Sequence, residues 1–231
     1  MLGLRCLSRG LLPLLLAAPF AFAGCAQEQN TGDLGCKSSR VPCLKGKALV
    51  SLDTERGSVL LQLDGENAPL TAGNFADLVK RGVYNGTIFH RVIRTPLPFV
   101  VQGGDPGTAN PKVPISAYGT GNFIDPATGE ARFIPLEFKL ASRKGELVYG
   151  QELTTTSLLR KSVLTHERGS LAMARSSDPN SASSQFYVAL KPLPELDGRY
   201  AVFGKVVRGM DVVDRLQQGD KLIRARLISD N

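Results

Sequence analysis

No stretch of this chain runs far before a glycine or a proline interrupts it. The 231 residues include 24 Gly and 14 Pro. In a helix interior these cost about 1 and about 3 kcal/mol each, so a long coiled coil is excluded. The segments between the interruptions are short, apolar and rich in β-branched residues. Ala48–Leu52 and Ser58–Leu63 flank Thr54-Glu55-Arg56-Gly57, a hairpin signature. Thr87–Ile93, Phe99–Gln102, Ser170–Arg175, Gln185–Ala189, Ala201–Val207 and Lys221–Ile228 also read as strands. Two helices are expected. One has Thr71 as N-cap, Phe75, Leu78 and Val79 as its apolar stripe and Gly82 as its stop; the other lies near Met210–Gln217. About eight short strands and two helices suit a mainly β fold, a single closed antiparallel barrel with helices capping its ends. The tract 106–168 is rich in Gly, Pro and Ser and reads as a long insertion of loops with one strand around Phe133–Phe138. With 42% hydrophobic residues the chain is not composed like a disordered one.

Residues 1–24 read as an export signal. Arg5 and Arg9 precede the apolar run Leu11–Phe22, which is too short to span a bilayer at about 20 residues. Ala21-Phe22-Ala23 fits an ordinary signal-peptidase site, whereas Phe22-Ala23-Gly24-Cys25 resembles a bacterial lipobox in which Cys25 is lipidated. Cys6 leaves with the signal, and Cys36 and Cys43 could pair in the polar tether 25–45, which leaves Cys25 odd. Lipidation explains that residue, so the expected location is the periplasmic face of a membrane. A soluble periplasmic protein and a thylakoid lumen protein are the alternatives. Losing Arg5 and Arg9 takes 28 basic residues to 26 against 21 acidic ones, net +5. The positive residues are scattered, without the aromatic interleaving of a nucleic-acid platform, so no nucleic-acid partner is expected. A weak attraction to an anionic membrane would suit the anchor.

Four segments carry the strongest chemical signal: Phe89-His90-Arg91-Val92-Ile93, Phe99-Val100-Val101-Gln102-Gly103-Gly104-Asp105, Ser184-Gln185-Phe186-Tyr187 and Leu196-Asp197-Gly198-Arg199-Tyr200-Ala201-Val202-Phe203-Gly204. Gly169-Ser170-Leu171-Ala172-Met173-Ala174-Arg175 falls between the second and third. In order and spacing this set resembles the cyclophilin family of peptidyl-prolyl cis/trans isomerases, over about residues 46–229. The tract from Tyr118 to Glu137 is similar to an insertion of cyanobacterial and plastid members.

The resemblance implies catalysis of rotation about X–Pro bonds in exported proteins. The barrier is about 18–20 kcal/mol, because resonance gives the amide C–N bond double-bond character. No bond to the chain breaks, so the chemistry requires neither nucleophile nor cofactor, and the two His offer no metal-ligand spacing. A fixed guanidinium can donate to the prolyl nitrogen as it becomes pyramidal and basic, and an apolar pocket can hold the ring. By the resemblance, Arg91 is the guanidinium. Phe99, Val100, Tyr187 and Leu196 line the proline pocket. Gln102 binds the substrate backbone and fixes Arg91. Ala174, Arg175 and Gln185 shape the adjoining groove, and Tyr200 closes the pocket. Proline-containing segments are the implied partners of a monomer. A proline-binding scaffold with little turnover is the alternative, and a surface lipoprotein that binds through its Pro/Gly-rich insertion is a third reading.

Three positions depart from the family pattern. Tyr187 stands where Phe is usual and Val100 where Met is common. Glu195 falls where well-known eukaryotic members carry Trp, and the chain has no Trp. Since the family's binding of cyclosporin leans on that Trp, weak cyclosporin binding is expected. Phe186 and Phe203 read as core residues and His90 as a packed, hydrogen-bonded strand residue. His166, in Leu164-Thr165-His166-Glu167-Arg168, reads as exposed.

Overall fold

Period-two burial builds the first hairpin. In β1 (Lys47–Thr54) and β2 (Gly57–Asp64) every second side chain is buried, and Ala48, Val50 and Leu52 lie opposite Leu63, Leu61 and Val59. That register places one apolar face of both strands inward, and a one-residue slip would expose it.

The computed structural model describes residues 35–36, 41–142 and 145–230, with backbone only at 229–230. The signal segment, Cys25 and most of the tether lie outside them. After the hairpin come α1 (Pro69–Lys80), β3 (Thr87–Ile88), β4 (Arg91–Val92), β5 (Val100–Gly103), β6 (Glu137–Lys139), β7 (Leu147–Tyr149), α2 (Thr156–Leu159), β8 (Ser170–Met173), β9 (Phe186–Ala189), β10 (Val202–Arg208), α3 (Met210–Arg215) and β11 (Lys221–Asp230). Nine strands form one antiparallel sheet in the order β3-β11-β1-β2-β10-β8-β9-β5-β4. Its outermost members, β3 and β4, are separated in sequence by Phe89 and His90 alone, so the sheet curls until its two edges meet. The mainly β, antiparallel fold expected is present, as a strongly curled sheet of nine strands where a closed barrel of eight was expected. The ninth strand arises because Thr87–Ile93, read as one strand, breaks at Phe89-His90: the Phe89 N–H donates to Asp220 O, and its carbonyl accepts from the Gly219 N–H.

The core inside the curl is aromatic at its centre. Phe75 of α1 packs on Tyr84, Phe186 and Phe203 with ring centroids 4.9–5.2 Å apart. Phe186 and Phe203 are therefore core residues, as their sequence context suggests. α1 begins two residues before the expected cap: Pro69 is its first residue, and Ala68 offers no capping side chain. Glu137 of β6 does that work instead, with its carboxylate accepting from the Leu70 and Thr71 N–H groups at 3.1 and 2.8 Å.

The insertion holds more order than its composition suggests. β6 and β7 form a separate two-stranded sheet, α2 follows, and Leu136, Phe138, Leu140, Leu153 and Ala201 form a satellite core. Arg132 ties this region to α1 through Asp77 at 2.6 Å. Order also begins ahead of Ala48. Cys36 and Cys43 are joined by a disulfide, Val41 is buried in the main core, and the Leu44 N–H donates to Pro69 O. This segment crosses α1 at Gly73, where any Cβ would sit 2.0 Å from Pro42 O.

Candidate active site

The alternation that fills the core also lays out the opposite face of the sheet. Leu171, Met173, Val101, Phe186 and Val188 point inward. Their neighbours Val100, Ala172, Tyr187, Ala189 and Val202 form a second apolar cluster, with Phe99, Ala174, Leu196 and Tyr200 packed against it. Strand register sets the order across this face: Arg91 lies opposite Gln102, Gln102 opposite Tyr187, Tyr187 opposite Ala172 and Ala172 opposite Val202. A cationic edge thus grades into an apolar floor over five strands.

Above this row is an open cavity of about 250 Å³ lined by Arg91, Phe99, Val100, Gln102, Ala174, Arg175, Tyr187, Leu196 and Tyr200. The structure brings together every residue expected at the pocket except Gln185. That residue lines an adjoining cavity of about 330 Å³ which shares Gln102, Ala174 and Arg175 with the first.

A chain of hydrogen bonds sets the polar edge. Arg91 Nη1 donates to Gln102 Oε1 at 3.1 Å, and Gln102 Nε2 donates to Gln185 Oε1 at 3.2 Å. Gln185 Nε2 in turn donates to the carbonyls of Gly119 and Gly121 at 3.0 and 2.9 Å. The N–H groups of both glycines donate to buried Asp105. Gly119 adopts a φ of +87°, and a Cβ there would sit 3.1 Å from the His90 ring. His90 itself falls in the break between β3 and β4 rather than in a strand, its buried ring nitrogens make no hydrogen bond among the described residues, contrary to expectation, and burial pushes its pKa down. Apart from its bond to Gln102, the Arg91 guanidinium makes no hydrogen bond among the described residues, and its carbon lies 5.9 Å from the Phe99 ring centroid. The fork is oriented yet retains donors to offer.

Arg175 is used differently. Its donors go to Arg199 O, Ser176 O, Ser177 O and the Glu152 carboxylate, and its guanidinium lies 5.0 Å from the Tyr200 ring centroid. It acts as a wall between the two cavities and braces Tyr200.

One residue at the site was misjudged from sequence. His166 is 2% exposed, not an exposed loop residue. Its Nδ1 lies 2.8 Å from Asp197 Oδ1, and its Nε2 lies 2.8 Å from the Tyr187 hydroxyl. Burial pushes the imidazole pKa down, with Asp197 acting against it. Burial also pushes the Tyr187 phenol well up. A polar pentapeptide gives no sign of such burial. The departure at Tyr187 was the available signal, since a buried phenol needs a partner.

Comparison with known proteins agrees with this geometry. Residues 49–228 match the family model of the cyclophilin type peptidyl-prolyl cis-trans isomerase/CLD domain. A Synechocystis protein provisionally named a thylakoid lumen peptidyl-prolyl cis-trans isomerase is 38% identical over 201 residues, covering 83% of this chain and 49% of its own length. The chain thus spans about half of that relative. A peptidyl-prolyl cis-trans isomerase of Acinetobacter baylyi is 36% identical over 173 residues, which cover 73% of this chain and 71% of that protein. Among solved structures, a Cryptosporidium parvum cyclophilin type isomerase crystallised in the presence of the dipeptide Ala-Pro superposes with a TM-score of 0.55 at 24% identity, covering 78% of this chain and 99% of its own. Taken with the matched domain and the identity of these relatives, the ordered motifs and the curled sheet establish that the chain belongs to the cyclophilin-type peptidyl-prolyl cis-trans isomerase family.

Proposed function

We propose that this chain accelerates cis/trans isomerisation of X–Pro bonds in exported proteins, with Arg91 donating to the prolyl nitrogen. The observation that carries the reading is an oriented guanidinium with unused donors beside an open cavity of about 250 Å³ that Phe99, Val100, Tyr187 and Leu196 line on one side. The ring would rest on Tyr187 among Phe99, Val100 and Leu196. Its amide nitrogen would face Arg91, which stabilises the twisted amide more than the planar one and so lowers the barrier. Gln102 and the groove beside it would hold the flanking backbone. The Ala-Pro dipeptide named with the Cryptosporidium structure fits a ligand of this chemistry.

The test is isomerisation of a proline tetrapeptide by wild type and Arg91→Ala. Loss of one preorganised donor costs about 10²–10³-fold in rate, so kcat/KM should fall by about that much. A loss under about threefold would remove Arg91 from the central role. Tight peptide binding without rate enhancement by the wild type would favour a scaffold.

The chain is further read as an exported monomer held to a membrane through lipidated Cys25. The export signal supports this, and so does the lumenal name of the Synechocystis relative. Mass spectrometry of the mature N-terminus decides it: a diacylglyceryl Cys25 supports the anchor, and an unmodified Gly24 or Cys25 terminus refutes it.

A further inference from the structure

The Tyr187 hydroxyl ends on the buried imidazole of His166, which is not among the residues lining the cavity that Tyr187 floors. Asp197 Oδ1 accepts both the backbone N–H of His166, at 2.8 Å, and its ring Nδ1–H, at 2.8 Å. A carboxylate only accepts, so Nδ1 carries the proton and Nε2 is left as an acceptor. The Tyr187 hydroxyl, 2.8 Å away, therefore donates to it. The rings of His166 and Tyr187 are nearly parallel, with an interplanar angle of 11°, and Tyr200 meets Tyr187 edge-on at 6.0 Å.

We infer that His166 is a positioning residue for the proline pocket: Asp197 fixes its tautomer, and it takes the Tyr187 hydroxyl proton away from the substrate, so that the floor presents an aromatic face to the proline ring. The inference rests on the isomerase reading and names a determinant of ring binding within it. It accounts for three features together. A phenol can serve as the floor because its hydrogen is directed behind the pocket. A histidine is buried in a polar loop because the phenol needs an acceptor there. Asp197 stands in the turn after Leu196, where it reaches both His166 donors.

Protonation of His166 would reverse this bond. Nε2 would become a donor, the hydroxyl would accept, and its hydrogen would turn toward the cavity, where an apolar ring offers no acceptor. The charged and titratable groups around the pair are Asp197 and Glu195 about His166, and Asp197, Tyr200, Arg175 and Arg91 about Tyr187. The imidazole titrates below its ordinary value of 6.5, since burial outweighs both acids, so proline binding should hold at neutral pH and weaken only as pH falls through that lowered value.

The experiment is a double-mutant cycle of His166→Leu and Tyr187→Phe. It reads kcat, KM and calorimetric Kd for a proline tetrapeptide at pH about 7.5 and about 5.5. His166→Leu should raise KM and Kd about three- to tenfold, the worth of one hydrogen bond, with kcat within about twofold. In the Tyr187→Phe background the same change should do less than about twofold, because its means of action is gone. His166→Gln, which keeps an acceptor near the hydroxyl, should restore KM to within about twofold of wild type. Equal effects of His166→Leu in both backgrounds overturn the inference. If His166→Leu does not fold, the pH profiles decide. A rise in KM of about threefold as pH falls through the His166 titration followed by NMR, in wild type but not in Tyr187→Phe, supports it, and parallel profiles across that titration overturn it. His90 titrates in both proteins and cancels in that comparison. If wild type binds the peptide without accelerating its isomerisation, the isomerase reading fails, while the Kd cycle still decides the role of His166.

Discussion

Glu137→Met tests how the insertion is joined to the sheet. Glu137 is 1% exposed and accepts two N–H groups at the start of α1, a helix that has no capping side chain of its own. Methionine keeps the approximate volume and removes both acceptors. Each buried N–H left unpaired costs about 1–3 kcal/mol. Against this stands relief from holding a carboxylate out of water, since burial pushes the Glu137 pKa above its ordinary value of 4.5. The net expectation is a loss of about 2–4 kcal/mol, or roughly 5–15 °C in Tm for a domain of this size. The pH dependence has a definite sign. A carboxyl whose pKa rises on folding takes up a proton as the chain folds. Its contribution is complete below the unfolded value and is lost as pH rises through the folded one. The wild-type advantage should therefore be greatest near pH 4 and shrink as pH rises past 4.5. Paired denaturant melts of wild type and Glu137→Met across this range measure the difference, and the other carboxylates cancel. Equal stability within about 0.5 kcal/mol would show that the cap is immaterial. A wild-type advantage that grows with pH would show that the hydrogen bonds outweigh burial, contrary to the reasoning.

Two further outcomes follow from the site. Gln185→Leu releases both Gln102 and the Gly119–Gly121 loop without altering the Arg91 side chain itself. The expected result is a fall of about tenfold in kcat/KM for a proline tetrapeptide, from loss of positioning, and unchanged kinetics would refute the relay. Glu195 lies in the short helical turn Pro194–Leu196 and is exposed, so cyclosporin finds an acid where well-known members offer an indole. Titration calorimetry should give weak binding, and a submicromolar Kd would refute that expectation.

Sequence reading brought together the residues that line the cavity because their face of the sheet is locally encoded. Arg91, Gln102 and Tyr187 lie in strand motifs whose alternation assigns each a side, and antiparallel pairing brings them into one row. It failed where a residue's surroundings come from distant elements. His166 sits among Thr165, Glu167 and Arg168, and only the approach of Tyr187 and Asp197 buries it. Thr71 looked like a cap because capping is usually a local matter, yet the acceptor comes from Glu137 in the insertion. The insertion read as loops because β6, β7 and α2 are each only three or four residues long. Pairing and a satellite core, rather than propensity, hold them in place.

The meeting of β3 and β4 at Phe89-His90 has a consequence for a protein whose expected clients are incompletely folded. An open sheet ends in rows of unpaired N–H and C=O groups on which extended chains can nucleate. Here the end strands are two residues each and the backbone itself bridges them. At each of these two ends a client segment finds a ladder of only two residues to extend, which limits templated assembly there.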